Sequence, residues 1–243
     1  MPKLLVLNPN TTVAMTQSIA AYARSVAAPT TQIVGRNPTT GPASIEGPDD
    51  HALCMLPLLE EVARGELDGC DATIIACFDD PGVTAARGLA TGPVIGIAQA
   101  AMQGAAVIAA RFAVVTTVNA AVPVIEDLVV RYGAARNCVA VRAAGVPVLE
   151  LENASAVVYA RIRDCAAQAL RGDRADAIVL GCAGMSALGA RLARELGVQV
   201  IDGVGMAVKV AEGLIALGLR TSKHGAYAAP NDPGLPDASA RMK

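Results

Sequence analysis

The sequence predicts an α/β protein of two pseudo-symmetric lobes, each a parallel sheet flanked by helices, with a cleft between the lobes. Three observations predict it. Apolar strand-like runs alternate with helical stretches along the whole chain, the pattern that gives right-handed crossovers and parallel sheets. Three strand-and-turn units recur in the same order, shifted by about 105 to 108 residues. Two of the recurring units end in a thiol: Asp71-Ala72-Thr73-Ile74-Ile75-Ala76-Cys77 and Asp176-Ala177-Ile178-Val179-Leu180-Gly181-Cys182.

The other repeated units are equally plain. Lys3-Leu4-Leu5-Val6-Leu7 runs into Asn8-Pro9-Asn10-Thr11-Thr12, and Arg111-Phe112-Ala113-Val114-Val115 runs into Thr116-Thr117-Val118-Asn119. Pro93-Val94-Ile95-Gly96-Ile97 matches Gln199-Val200-Ile201-Asp202-Gly203. Strands are expected near 3–8, 31–35, 72–77, 93–97, 111–116, 137–142, 176–181 and 198–202. Helices are expected near 12–27, 50–66, 81–90, 99–108, 119–133, 153–171, 186–196 and 205–217. Asn10, Thr11 or Thr12 is expected to cap the first helix, Asp80-Pro81 to open the third as N-cap and first residue, and Ser186 or a neighbour to cap the helix after Cys182. Gly197 is expected to end that helix. One lobe then comprises residues 1–98 plus 205–243, with a returning C-terminal helix and tail, and the other 99–204. The end, Asn231 to Lys243, reads as mobile, since Gly, Pro and small residues dominate from Thr221 onward.

Composition narrows the function classes. Hydrophobic residues make up 53% and charged residues 17%, which fits strands buried on both faces and further apolar surface hidden in a homo-oligomer. Net charge is −2 and aromatics are 2%, with no basic stripe, so nucleic-acid binding is not expected. The uncharged stretch from Gly88 to Ala110 is broken by Pro93 and several glycines and reads as buried elements rather than a membrane span. Asn8-Pro9-Asn10 interrupts any signal-peptide core, so a cytoplasmic protein with reduced cysteines is expected. No Cys-x-x-Cys occurs and His51 and His224 lie far from the cysteine-ended strands, so no metal site is expected. Dinucleotide, P-loop and nucleophile-elbow motifs are absent; Val208 stands where Gly203-Val204-Gly205 would need its third glycine.

Ligands bind at the carboxyl ends of open parallel sheets, so the turns after strands 3–8, 72–77, 111–116 and 176–181 should line one cleft. Cys77 and Cys182 open two of those turns. A lone strand-end cysteine is more often core than catalyst, and Cys54, Cys70, Cys138 and Cys165 are read as packing. A matched pair across a duplication is different: two acid/base groups on opposite sides of one carbon are what inversion of a stereocentre needs. Each thiol precedes an expected helix N-terminus, which would lower its pKa toward neutrality, while Asp79 and Asp80 push the other way at Cys77. Asn10, Thr11, Thr12, Thr116 and Thr117 offer hydrogen-bond donors, and the turn amides around Asp79, Ala183 and Gly184 offer more. The same residues are also ordinary capping and turn formers.

The blocks Leu7-Asn8-Pro9-Asn10-Thr11-Thr12, Ala76-Cys77-Phe78-Asp79-Asp80-Pro81-Gly82 and Leu180-Gly181-Cys182-Ala183-Gly184-Met185 resemble the Asp/Glu/hydantoin racemase superfamily, and within it the hydantoin and allantoin racemases. The resemblance covers nearly the whole chain, including Leu219-Arg220-Thr221-Ser222-Lys223. It implies cofactor-independent racemisation of a small molecule by Cys77 and Cys182, each handling one enantiomer. It also implies substrate contacts from Asn10, Thr11, Phe78, Asp79, Thr116, Thr117, Ala183 and Gly184, and a homo-oligomer. The related arylmalonate decarboxylases keep only the second cysteine, so both thiols here favour racemisation. Four readings remain in play: a racemase of 5-substituted hydantoins, one of allantoin, a decarboxylase or cis–trans isomerase of small dicarboxylates using Cys182, and a non-catalytic two-lobed binder.

Overall fold

Unbroken apolar runs with no polar face can be satisfied only between two layers of helices, and here they form two four-stranded parallel sheets. The structure is a computed structural model and describes residues 1–153 and 155–228, so the reading of Asn231–Lys243 lies outside the described residues. The first sheet has β1 (Lys3–Leu7), β2 (Gln32–Arg36), β3 (Ala72–Ile75) and β4 (Val94–Gly96) in the order β2-β1-β3-β4. The second has β5 (Phe112–Thr116), β6 (Cys138–Ala143), β7 (Ala177–Leu180) and β8 (Gln199–Asp202) in the order β6-β5-β7-β8. The two orders are the same order. Helices α1 (Val13–Val26), α2 (Pro48–Leu67), α3 (Val83–Leu89), α4 (Ile97–Ile108), α5 (Ala121–Arg131), α6 (Ala156–Gly172), α7 (Gly189–Leu196) and α8 (Gly203–Ala216) fill the crossovers and extend the last strand.

The repeat extends to side chains. The Lys3 amide donates to the Asp71 carboxylate, and the Arg111 amide to that of Asp176. Lys3 reaches the Asp68 carbonyl, and Arg111 the Asp173 carbonyl. Arg36 pairs with Asp68 as Arg142 pairs with Asp173. A matching set of strand-start contacts at offsets of 105 to 108 residues is what a duplicated ancestral half leaves behind.

The last helix of each half leans on the other half. Helix α4 packs on β7 and β8 as well as β4, α8 packs on α1, β3 and β4, and the two helices pack on each other. Small residues at Ala98, Ala101, Ala105, Ala207 and Ala211, all buried, let these helices approach closely. The segment after α8 returns to the first sheet's helices: the Thr221 amide donates to the Thr91 carbonyl and Lys223 Nζ to the Arg87 carbonyl. No helix among the described residues is long and apolar enough to cross a membrane.

All eight expected strands and all eight expected helices are present, and their edges differ at the turns around the two cysteines. β3 ends at Ile75 and β7 at Leu180, so both cysteines lie in turns and not in strands. The third helix starts at Val83, not at Pro81, with Gly82 at its N-cap in the left-handed region (φ 66°). Asp80 does not cap it. Its carboxylate accepts instead from the Ala98 and Gln99 amides at the start of α4. Ser186 is no cap either: it lies within a 3₁₀ helix (Ala183–Leu188) that precedes α7, and its buried hydroxyl has no partner among the described residues. Thr12 holds the N-cap position of α1, but its hydroxyl is drawn off to the Ala43 carbonyl. Gly197 ends α7 in the left-handed conformation (φ 69°), as the sequence indicates.

Candidate active site

The same turn follows β3 and β7. The Cys77 carbonyl accepts from the Asp80 amide and the Cys182 carbonyl from the Met185 amide, each at 3.1 Å. Two residues after each cysteine, an amide points back at the sulfur: Asp79 at Cys77 and Gly184 at Cys182. The turn at Cys77 is strained, since Asp80 sits at φ 44°, in a region that Asp tolerates better than most residues. Burying its carboxylate in a ready-made set of donors offsets that strain. Besides the two α4 amides it accepts from the Tyr132 hydroxyl at 2.8 Å. The second half places a carboxylate in the matching spot from a different position: Asp202 accepts from the Gly205 amide at the start of α8 and from the Tyr22 hydroxyl, both at 2.7 Å. Residue 96, which matches Asp202, is accordingly glycine, because a Cβ there would overlap the Asp80 carboxylate. Gly96→Ala should therefore expel Asp80, remove the cap of α4 and destabilise the protein by about 1–3 kcal/mol; urea unfolding of the variant measures this.

Both turns open into one cavity between the halves. Cys77, Phe78 and Asp79 line it from the first half with Asn8, Asn10 and Met15. Cys182, Ala183 and Gly181 line it from the second with Thr116, Thr117 and Ala121. Ile45 and Val148 roof it from the loops that follow β2 and β6. The two segments are tied to each other by Glu46, whose carboxylate accepts from the Val148 amide at 2.7 Å. Cavity volume is about 30 Å³, room for a water or two and less than one planar ring. The cavity is partly open to the surface, and its walls must shift outward to take a planar ring. A roomier groove of about 430 Å³ beside Arg87 and Gln99 carries neither thiol nor carboxylate on its walls.

Of the ten residues expected to act, eight line this cavity. Thr11 does not: its amide and hydroxyl are both spent on the Pro42 carbonyl, which anchors the roof loop. Gly184 lies behind Cys182 and serves it through its amide. Asn10 is aimed by its neighbours. Its side-chain oxygen accepts from Asn8 Nδ2 and the Thr12 amide, while its NH₂ has only the Met15 sulfur at 3.3 Å as acceptor. A sulfur is a weak acceptor, so that NH₂ is free to hold a ligand oxygen. The Thr116 hydroxyl is committed to the Gly181 carbonyl. Sequence reasoning missed Asn8, Ile45 and Val148. Only the placement of Asn8 inside a recognised block hinted at it; the two roof residues come from loops without a motif.

Electrostatics differ from expectation. No α-helix begins beside Cys77, and burial pushes its thiol well up, with the Asp79 charge adding to the rise. Burial pushes Cys182 to about 12, against the lowering by the Gly184 and Met185 amides. The helix-end effect is therefore present at Cys182 but smaller than the desolvation of a thiolate there. Burial also raises Asp79 to about 7, the Asp80 charge adding to it, and Asp80 to about 6 despite three hydrogen bonds. Cys54, read as packing, is fully buried in α2 and lies close enough for its charge to bear on Cys77. No lysine, arginine or histidine lines the cavity among the described residues.

The Asp/Glu/hydantoin racemase family model matches residues 4–211. The chain belongs to that family. A hydantoin racemase of Rhizobium meliloti is 50% identical over 228 residues, which cover 92% of this chain and 93% of that protein. The solved structure of an allantoin racemase from Klebsiella pneumoniae superposes with a TM-score of 0.95 at 46% identity, covering 100% of this chain and 99% of that one. An arylmalonate decarboxylase structure, at 16% identity and a TM-score of 0.61 over 93% of this chain and 97% of its own, shares the fold. The enzyme class that goes with membership is that of a racemase, an isomerase.

Proposed function

We propose that the protein racemises 5-substituted hydantoins without a cofactor, using Cys77 and Cys182 on opposite faces of C5. The observation that carries the reading is that two thiols from matching turns of a duplicated fold line one cavity. One sulfur, as thiolate, takes the C5 proton. The electron pair spreads onto the adjacent ring carbonyl, and the other thiol returns a proton to the opposite face. The C5–H bond is acidified by its neighbouring carbonyl, so a thiolate is a sufficient base once the enolate oxygen is held. The Asn10 NH₂, whose acceptor is a weak sulfur, is available to hold that oxygen, and Thr117 lines the same cavity. Lifting the roof admits the ring, and closing it removes water, which would otherwise weaken each of these contacts.

A second reading keeps the mechanism and takes allantoin, a hydantoin bearing a ureido group. The full-length similarity to an allantoin racemase structure favours it as much as the 50% identity to a hydantoin racemase favours the first. Single enantiomers of 5-substituted hydantoins and of allantoin in deuterated water separate the two. Optical rotation should decay with deuterium appearing at C5, and the larger kcat/KM names the substrate. Activity should survive dialysis against a chelator. Carbon dioxide release, or tight binding with no exchange, would instead make the protein a decarboxylase or a binder.

A further inference from the structure

Two adjacent aspartates, both buried, differ in one respect. The Asp80 carboxylate accepts three hydrogen bonds, from the Ala98 amide, the Gln99 amide and the Tyr132 hydroxyl. The Asp79 carboxyl, 6% exposed and on the cavity wall, accepts none from any described residue. Its oxygens are open to the cavity, where a ligand or a proton can complete their bonding. The position matching Asp79 in the second half is Gly184, so the cavity holds one carboxyl and two thiols.

The charges that bear on Asp79 and on the two thiols beside it are those of acids. Asp80 bears on it from its own turn. Its own charge bears on Cys77, on Cys182 across the cavity and on Cys54 from α2, and Glu46 of the roof bears on Cys182. With no cation on its walls, the cavity tolerates one negative charge far better than two. A thiolate and an ionised Asp79 are therefore alternatives.

We propose that Asp79 is the third proton carrier of this site: it takes the proton of whichever thiol ionises and, as a neutral acid, donates a hydrogen bond to the substrate oxygen on which charge collects. This rests on the racemase reading above. In the first step one S–H bond breaks and an O–H bond forms on Asp79. The thiolate then takes the C5 proton, and the electron pair moves to the carbonyl oxygen facing the Asp79 acid. The opposite thiol protonates C5 and becomes the thiolate, and Asp79 returns its proton to that sulfur. One negative charge passes through the cavity and no atom is gained or lost. Burial lifts Asp79 from 3.8 to about 7, which makes it a stronger base than an ordinary carboxylate and leaves it, once protonated, a stronger acid than either thiol.

The reactive form has lost one proton relative to the fully protonated site, so activity should rise with pH through about 7 and then level. The test compares wild type with Asp79→Asn by two readouts: racemisation against pH, and alkylation of Cys77 by iodoacetamide against pH with no substrate present. Both wild-type curves should inflect near neutrality. In Asp79→Asn both inflections should move up by about one pH unit or more, and kcat at pH 7.5 should fall about tenfold or more with a smaller change in KM. An unmoved inflection in the variant overturns the proposal and leaves the racemase reading standing. An inflection that follows Asp79 in the alkylation curve of a protein that turns over no hydantoin supports Asp79 as proton carrier and removes the racemase reading.

Discussion

Replacing Cys77 or Cys182 by alanine should lower racemisation of a single hydantoin enantiomer by roughly 10²- to 10⁴-fold, the range typical for loss of a general acid or base. The two variants should fail differently. With Cys77 gone, Cys182 can still remove the proton on its own face and return it there, and the converse holds with Cys182 gone. Each variant should thus exchange C5 hydrogen for deuterium with retained configuration, in one enantiomer only, and the two should choose opposite enantiomers. Chiral chromatography coupled to mass spectrometry reads both quantities in one experiment. Undiminished racemisation in either variant would remove the two-thiol mechanism. Neither change should unfold the protein, because both side chains face a cavity and are only partly buried in the core.

The second large effect is on stability, and its sign runs opposite to that on activity. Asp79 is raised to about 7 in the fold by burial, with the Asp80 charge adding to it, against an ordinary 3.8. The folded protein therefore holds this proton over a pH range in which the unfolded chain has released it. Stability from this source is full below about pH 4 and is lost as pH rises through about 7. At 1.4 kcal/mol per pH unit the loss is at most about 4–5 kcal/mol, and less where water reaches the carboxyl from the cavity. Asp79→Asn has no charge to bury, so it should melt close to wild type at pH 4 and well above it at pH 8. Thermal unfolding across that range checks this, and a constant difference in melting temperature would show that Asp79 is not desolvated. An active-site group that weakens the fold at working pH is the expected mark of a residue kept for chemistry.

Much of this molecule was legible in its sequence for local reasons. Val/Ile/Leu runs such as Leu4–Leu7 and Ile178–Leu180 are buried on both faces, so their hydrophobicity alone names them as strands. Gly197 ends a helix by its own backbone freedom. Cys77 and Cys182 are singled out by their matching position, which needs no coordinates. Capping was legible only where donor and acceptor are neighbours in the chain. The sequence makes Asp80 the cap of a helix that opens at Pro81, yet that helix opens two residues later at Val83, and the carboxylate spans to α4, where Gly96 leaves a hole that it fills.

The sequence by itself determined the order of elements, the duplication and the two thiols, because these are written in short-range hydrophobic pattern and in repetition at a fixed shift. Tertiary structure decided that Thr11 is bonded to the roof loop and lies off the cavity wall, that Ile45 and Val148 line the cavity, and that Asp80 finds three donors while Asp79 finds none among the described residues. It also decided that both thiols are harder to ionise than a free cysteine. Desolvation and hydrogen-bond satisfaction are sums over groups brought together from distant parts of the chain, and no window of neighbouring residues contains them.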